Sequence, residues 1–285
     1  MNKNFSKVAL AAALAVVATT ASAALPISGA IPAGNALFSD NSAERWLDRN
    51  NNGILDNGDA LRGIFSIDKI AGAGPATAIG AGSAYNELTA LFQVEVLNTV
   101  FLDPGGARAN YEFGFDPLFG MGAGVVGVLY EDPAQNYARA GCGTFAGCEA
   151  TATGGAVWMT VGVSGGFWSA ANAATHPAVG GNLPLAFPLG TFGMGLNIIT
   201  NNTGYAWNQV FCINTVDFSP HVVDVCGQGG ILATGRNLAG GAQTPYDIFD
   251  NVDFTLNRAP EPGSMALIGL ALVGLRAARG RKSVK

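Results

Sequence analysis

The sequence predicts an all-β body, Gly-rich and of the β-sandwich or jelly-roll type. About eight to ten short runs combine apolar or β-branched residues with interleaved polar ones, as half-buried strands do. Clusters of Gly, Pro and Asn separate these runs and are typical of turns. Gly is abundant, at 40 of 285 residues, but follows no fixed period, and 49% of the residues are hydrophobic. This composition excludes collagen and argues against general disorder.

The individual strands follow from local patterns. The longest run, Glu87 to Phe101, is followed by a turn at Asp103 to Gly106 and by Asn110 to Phe115, which predicts a hairpin. The stretch Ala43 to Leu47 suggests a short helix. The other predicted strands are Gly63 to Ile70, Val125 to Tyr130, Val157 to Val163, Phe192 to Thr200, Ala206 to Ile213, His221 to Val225 and Ile248 to Leu256.

The N-terminus has the layout of a secretory signal peptide. Lys3 and Lys7 supply positive charge, an apolar run extends from Val8 to Ala18, and Ala21-Ser22-Ala23 ends in small residues. We expect a signal helix that signal peptidase removes after Ala23. Residues 1–23 are therefore the signal, and residues 24–258 are the exported body.

The C-terminus also has three parts. Pro260-Glu261-Pro262 precedes an uncharged run from Gly263 to Leu275, and residues 276–285 carry five basic side chains. As a helix, the uncharged run would reach roughly 20 Å, short of a bilayer core of about 30 Å. The basic end predicts a cytoplasmic C-terminus. Such a tail suits temporary retention in the inner membrane, although a permanent anchor is the alternative.

These last residues resemble the PEP-CTERM sorting signal. The resemblance covers residues 259–285 and rests on Pro260-Glu261-Pro262, the Ala/Leu/Gly-rich run and the basic end. It implies processing by exosortase, a membrane cysteine protease of Gram-negative bacteria that also make exopolysaccharide. It implies that the enzyme recognises Pro260, Glu261 and Pro262 and removes the helix and basic tail. It says nothing about what the body binds.

Charge separates the body from its two ends. All 20 acidic residues lie between Ala24 and Pro262, whereas only eight of the 15 basic residues do, which gives this stretch a net charge of −12. A strongly acidic body argues against nucleic-acid binding. It fits an extracellular protein, or one that binds cations.

The four cysteines predict disulfides, because their number is even and the chain is exported. Cys142, Cys148, Cys212 and Cys226 allow three pairings. The nearest-neighbour set is the simplest, since each bond then closes a Gly-containing loop. Zinc is disfavoured because no Cys-x-x-Cys pair occurs and the histidines are not spaced with the cysteines.

One polar stretch, Asp48 to Asp59, has the spacing of a twelve-residue calcium loop. Calcium requires six to eight oxygen ligands around one point, and alternate residues on a tight loop present them. A glycine at position six, Gly53, allows the sharp turn. The predicted ligands are Asp48, Asn50, Asn52, the Ile54 carbonyl, Asp56 and Asp59.

Over these twelve residues the stretch resembles EF-hand and dockerin-type calcium loops. Asp59 stands where EF-hands have a bidentate Glu, as in dockerin-type loops. Because only three ligands are carboxylates, we expect weak calcium binding with a structural purpose, in the roughly 10⁻⁴ to 10⁻³ M range. The alternative is an ordinary surface turn, which Asn, Asp and Gly also favour.

The sequence gives little support for catalysis. A Ser-His-Asp set would need His176 or His221, and no Gly-x-Ser-x-Gly motif is present. Trp158, Trp168 and Trp207 are candidates for a sugar-binding face, although tryptophan in a β-body is more often part of the core.

We therefore expect a non-enzymatic protein of the cell surface or extracellular matrix of a Gram-negative bacterium. By the family's context, it contributes to biofilm or floc formation together with exopolysaccharide. The first alternative is a carbohydrate-binding module, and the second is a secreted hydrolase.

Overall fold

The computed structural model describes residues 24–138, 141–175, 190–234, 245–260, 267–273 and 275–276. The predicted signal helix and His176 lie outside these residues. The strands are β1 Gly34–Asp40, β2 Ser42–Leu47, β3 Ala60–Ala71, β4 Thr77–Ala78, β5 Glu87–Phe101, β6 Arg108–Phe115, β7 Gly127–Asp132, β8 Ala156–Ala174, β9 Gly190–Asn201, β10 Trp207–Asn208, β11 Val210–Ile213, β12 Pro220–Val223, β13 Val225–Thr234 and β14 Ile248–Arg258, and the helix α1 is Phe145–Ala152.

Twelve of these strands form one large antiparallel sheet, which confirms the prediction of a β-rich body. The pairings return to their starting point, so the sheet is closed. Around the closed sheet, β3 is followed by β5. The next place is shared by β6 and β7, and β8, β9, β13 and β14 follow. Strands β1 and β2 together fill the last place, since both pair with β14 and with β3. A single closed sheet thus stands where two stacked sheets were expected.

The predicted hairpin is present. β5 covers Glu87–Phe101 and pairs with β6 from Val94↔Phe115 to Phe101↔Ala109. The first eight residues of β5 are all buried, because the sheet interior covers one face and α1 with its neighbouring loop covers the other. The inner face is apolar, whereas the covered outer face carries Glu87, Thr89 and Gln93, each of which is hydrogen-bonded.

Two other predictions differ from the structure. The stretch Ala43 to Leu47 forms strand β2 instead of a helix, because its backbone pairs with β3 from Ala43↔Ile64 to Leu47↔Ala60. The single strand predicted from Ala206 to Ile213 is divided. β10 pairs with the end of β14, whereas β11 joins β12 in a separate two-stranded sheet.

The interior of the closed sheet is a continuous apolar core. Aromatic rings fill its centre, with Phe92 and Trp168 5.2 Å apart and Phe38 stacked on Phe254 at 5.0 Å between ring centroids. A second cluster lies outside the sheet, where α1 packs against β5 and β7. Thr144 caps α1 by accepting a hydrogen bond from the Gly147 amide at 3.1 Å.

The cysteines form the nearest-neighbour disulfides Cys142–Cys148 and Cys212–Cys226, as the simplest pairing predicted. The first bond ties the start of α1 to the preceding loop. The second ties β11 to β13, so the small β11–β12 sheet is covalently held against the main one.

Helical structure also occurs in the predicted hydrophobic tail, at residues 267–273 and 275–276, and the side chains there are exposed. Among the residues described, no helix has both the length and the apolar character needed to span a membrane. The membrane-held tail therefore stays a prediction.

Candidate functional site

The polar stretch from Asp48 to Asp59 forms the connection between β2 and β3. Asn51 and Gly53 both adopt positive φ, at 58° and 77°, which wraps the backbone tightly. Inside the turn, the Asp48 carboxylate accepts hydrogen bonds from the amides of Asn52 and Gly53 at 3.3 and 2.9 Å. The sequence prediction of a sharp turn at Gly53 is confirmed.

The side chains of Asn50, Asn52 and Asp56 meet on the same side of this turn. Asn50 Nδ2 and Asn52 Nδ2 each donate to one oxygen of Asp56, both at 2.7 Å. The amide oxygens of the two asparagines accept main-chain N–H groups of Asn52 and Ile54 at 3.0 and 2.7 Å. Three of the predicted ligands thus share one location with Asp48 nearby.

Asp59 has a different environment. It is fully buried, and its carboxylate accepts hydrogen bonds from Trp46 Nε1 at 3.2 Å, the Arg49 amide at 2.9 Å and the Asp56 amide at 3.2 Å. These donors close the base of the loop onto the end of β2. Asp59 therefore anchors the loop from inside.

The fit to calcium is partial. Asp48, Asn50, Asn52 and Asp56 supply oxygen atoms of the right chemistry. However, both Asp56 oxygens are held by amide N–H donors, and the described residues contain no group of three His, Cys, Asp or Glu side chains arranged to hold a metal ion. A cation here would depend on two carboxylates and on amide and carbonyl oxygens.

The loop also closes one end of the sheet. Leu55 is buried in the main core, its amide donates to the Thr175 carbonyl at 2.8 Å, and its own carbonyl accepts the Tyr111 hydroxyl at 3.1 Å. Burial and the nearby acidic residues of the loop raise the pKa of Tyr111. The loop is therefore attached to the body's core through Leu55 and two hydrogen bonds.

A polar network that the sequence did not suggest connects the loop with α1. The Arg49 guanidinium donates to the buried carboxylate of Asp116, which also accepts Gln93 Nε2 at 2.6 Å. Gln93 in turn accepts from Arg62 at 2.6 Å, and Arg62 pairs with Glu149 of α1. Its members come from distant parts of the chain, so no local sequence motif predicts the network.

A second feature missed by the sequence analysis is a group of carboxyls in the sheet interior. Asp40, Glu44 and Asp250 are each 3% exposed or less, and Glu44 and Asp250 line an internal cavity of about 30 Å³. Burial, followed by the negative charge of Asp250, raises the pKa of Asp40 and of Glu44 well above the ordinary range. Within the described part of the chain, neither Asp40 nor Glu44 forms an ion pair.

The candidate sugar-binding tryptophans do not form a surface face. Trp158 and Trp168 are 4% and 2% exposed and belong to the main core, while Trp207 is half-buried and forms a T-shaped pair with Trp158. The core explanation thus applies to the first two. Exposed aromatic rings lie elsewhere, at Phe211 and Phe218 on the β11–β12 sheet and its connecting turn.

His221 lies in an arrangement unlike that of a hydrolase triad. Its Nε2 lies 3.0 Å from Ser219 Oγ, and that hydroxyl donates to Asp217 Oδ1 at 2.6 Å. A triad places the carboxylate on the histidine, where it stabilises the imidazolium. Here the carboxylate contacts the serine instead, and its charge opposes formation of a serine alkoxide.

The predicted sorting motif follows directly after the last strand. Arg258, the final residue of β14, pairs with Gly34 of β1 on one side and with Trp207 of β10 on the other. The Ala259 amide then donates to the Ala206 carbonyl at 2.9 Å. Pro260 is the next residue and is exposed.

The side chain of Arg258 reinforces this attachment. Its guanidinium lies over the Tyr205 ring, 3.8 Å from the centroid, and Nη1 donates to the Ile31 carbonyl at 3.1 Å. Tyr205 is itself fixed, because its hydroxyl donates to the Ser28 carbonyl at 3.0 Å. The body is thus firmly paired up to the residue before Pro260.

Comparison with known proteins gives one finding. No curated protein and no solved structure matches the chain. A sequence model described as the PEP-CTERM protein-sorting motif matches residues 258–282, which includes Pro260, Glu261 and Pro262. This match confirms the sorting signal read from the sequence, and it indicates an extracellular protein that is sorted by an exosortase.

Proposed function

We propose that this chain is a non-enzymatic protein of the cell surface or extracellular matrix that contributes to biofilm or floc formation together with exopolysaccharide. The sorting motif at residues 258–282 carries the proposal. Signal peptidase releases the N-terminus, the tail is held transiently in the inner membrane, and exosortase then removes it. The two disulfides and the acidic body support a location outside the cytoplasm.

The motif gives the first test. In an exosortase-bearing host, we expect the chain to lose its tail and to appear at the cell surface or in the medium. Replacement of Pro260-Glu261-Pro262 by three alanines should leave the full tail on a membrane-associated chain, because the enzyme's recognition element is gone. Mass spectrometry of the C-terminal peptide in wild-type and exosortase-deficient cells measures this. Identical tail removal in both strains would contradict the proposal.

Exopolysaccharide binding requires a surface that the buried tryptophans do not supply. Phe211 and Phe218 are 66% and 74% exposed; Phe211 lies opposite exposed Val222 in the β11–β12 pair, and Phe218 lies in the connecting turn between Asp217 and Ser219. Aromatic faces beside hydrogen-bonding groups suit sugar rings, which have both apolar and hydroxyl-bearing surfaces. This favours the carbohydrate-binding alternative as the body's contribution to the matrix. Co-sedimentation with the host's purified exopolysaccharide, using wild type and the double variant Phe211→Ala, Phe218→Ala, tests it.

Weak calcium binding at the Asp48–Asp59 loop is part of the proposal. At about 10 mM calcium, a dissociation constant of 10⁻⁴ to 10⁻³ M would stabilise the body by roughly 1.4 to 2.7 kcal/mol. For a body of this size the melting temperature should rise by about 3 to 11 °C. Calorimetric melting with calcium, with magnesium and with chelator measures the effect.

The matched variant for this experiment is Asp56→Ala. It removes a half-buried carboxylate that, within the part of the chain the structure describes, accepts side-chain hydrogen bonds from the amides of Asn50 and Asn52 alone. We expect it to melt close to wild type in chelator and to lose the calcium response. A wild-type melting temperature that is the same with and without calcium would exclude the site.

A further inference from the structure

The sorting motif follows the folded body directly along the chain. Among the described residues, the Ala259 amide makes the last backbone hydrogen bond along the chain, and the motif begins at Pro260. The sequence model of the motif even starts at residue 258, which is the last residue of β14. No spacer separates the body from the segment that the enzyme recognises.

This has a consequence for any enzyme that acts on the motif. Proteases bind their substrates as extended chains, and each bound residue occupies about 3.3 Å. Contacts only two or three residues upstream of Pro260 would reach Asn257, Arg258 and Ala259. Those residues are already paired, with Asn257 opposite Asn35 and Asn208, and Arg258 opposite Gly34 and Trp207.

Side chains also hold the paired end, so opening it requires free energy. Arg258 lies on the Tyr205 ring and donates to the Ile31 carbonyl, which ties three separate segments together. Strand pairs on both edges of residues 257–258 mean that opening breaks contacts with β1 and β10 at once. Segments with such contacts open less often than free chain ends.

We propose that the paired end of β14 restricts access of exosortase to the motif, so that the folded body slows the removal of its own tail. This inference rests on the proposed function and adds a regulatory element to it. The release rate would then report the local opening of Arg258 and Ala259 as well as the enzyme's own speed. Tail removal after folding is slower than removal from an unfolded chain.

The test is a flexible spacer of about ten Gly and Ser residues inserted between Ala259 and Pro260. The insertion leaves the body's sequence intact and keeps the distance from the motif to the hydrophobic tail. In an exosortase-bearing host, pulse-chase labelling should show tail removal about three- to tenfold faster than in wild type. Arg258→Ala should accelerate it in the same direction but by less.

Arg108→Ala is the matched control for the arginine variant. Arg108 also lies at the end of a strand, β6, and its guanidinium also donates to a main-chain carbonyl, that of Asn172 at 2.8 Å. Its removal should leave the rate of tail removal unchanged. If both arginine variants accelerate removal equally, general destabilisation is the cause and the inference fails.

Amide hydrogen exchange of the purified, unprocessed chain gives a second measurement. We expect protected amides at Arg258 and Ala259 in wild type and faster exchange there in Arg258→Ala. Unprotected wild-type amides would overturn the inference, as would a spacer variant processed at the wild-type rate or more slowly. Failure of the proposed function gives a different result, because tail removal would then depend neither on Pro260-Glu261-Pro262 nor on exosortase.

Discussion

Replacement of Asp59 by alanine is expected to destabilise the body by about 3 to 5 kcal/mol. Asp59 is fully buried and accepts hydrogen bonds from Trp46 Nε1 and from the amides of Arg49 and Asp56. The substitution leaves the N–H groups of three half-buried residues without this acceptor, and each unsatisfied group costs about 1 to 3 kcal/mol. The melting temperature, measured in chelator by calorimetry, should fall by about 10 °C.

The comparison with Asp56→Ala separates anchoring from calcium binding. Both residues were predicted as ligands from their loop positions, but only Asp59 accepts N–H groups from the base of the loop. In chelator, we therefore expect Asp59→Ala to be much less stable than Asp56→Ala. Asp59→Asn provides a milder variant that keeps the size of the side chain. If the free energy of unfolding of Asp59→Ala in chelator lies within about 1 kcal/mol of the wild-type value, the anchoring explanation is wrong.

The difference between these two aspartates shows where sequence reasoning reaches its limit at this loop. The spacing of Asp48, Asn50, Asn52 and Gly53 is local, so it correctly predicts a tight turn lined by oxygen atoms. The surroundings of Asp59 depend on Trp46 and on the strand that follows the loop, which no spacing rule includes. Local patterns therefore identify the turn but not the burial of its last residue.

The same limit applies to the fold. Alternation along Glu87 to Phe101 and Asn110 to Phe115 predicts two strands and the hairpin that joins them, since these partners are close in sequence. Closure of the sheet depends on β14 pairing with β1 and β2, whose residues lie more than 200 positions away. Periodicity records which face of a strand is apolar, but it does not record its neighbour.

Tertiary context also overrides local preference at Ala43 to Leu47. Ala, Glu, Arg and Leu favour helix in isolation. Here the segment lies between β3 and β14, and pairing on both sides outweighs a preference of a few tenths of a kcal/mol per residue. In this setting Glu44 faces the sheet interior, a position that its residue type argues against.

Interior carboxyls should make the body more stable in mild acid than in mild alkali. The ordinary pKa of Asp and Glu is near 4, and burial raises the pKa of Asp40 and Glu44 well above it. Burial also raises the pKa of Glu87, to about 7. A raised pKa means that the folded body binds these protons more tightly than the unfolded chain does. Their stabilising contribution is complete below about pH 4 and is lost as the pH rises through the folded pKa values.

Glu44→Gln isolates this effect, because glutamine has the size of a protonated glutamic acid and carries no charge to desolvate. At pH 5 we expect the free energies of unfolding of the variant and of wild type to lie within about 1 kcal/mol of each other. At pH 8 the variant should be more stable, by about 1.4 kcal/mol for each unit by which the glutamate pKa is raised, which is about 3 to 6 °C per unit for a body of this size.

The control for general charge effects is Glu112→Gln, which removes the same charge from an exposed position on β6. The mature body is strongly acidic, so any loss of negative charge relieves some repulsion at high pH. Because that repulsion is screened at the surface, we expect the control to shift the melting temperature by less than 2 °C at either pH. Equal shifts for both variants at pH 8, or a wild-type stability that rises from pH 5 to pH 8, would contradict the assignment of the pH dependence to the interior carboxyls.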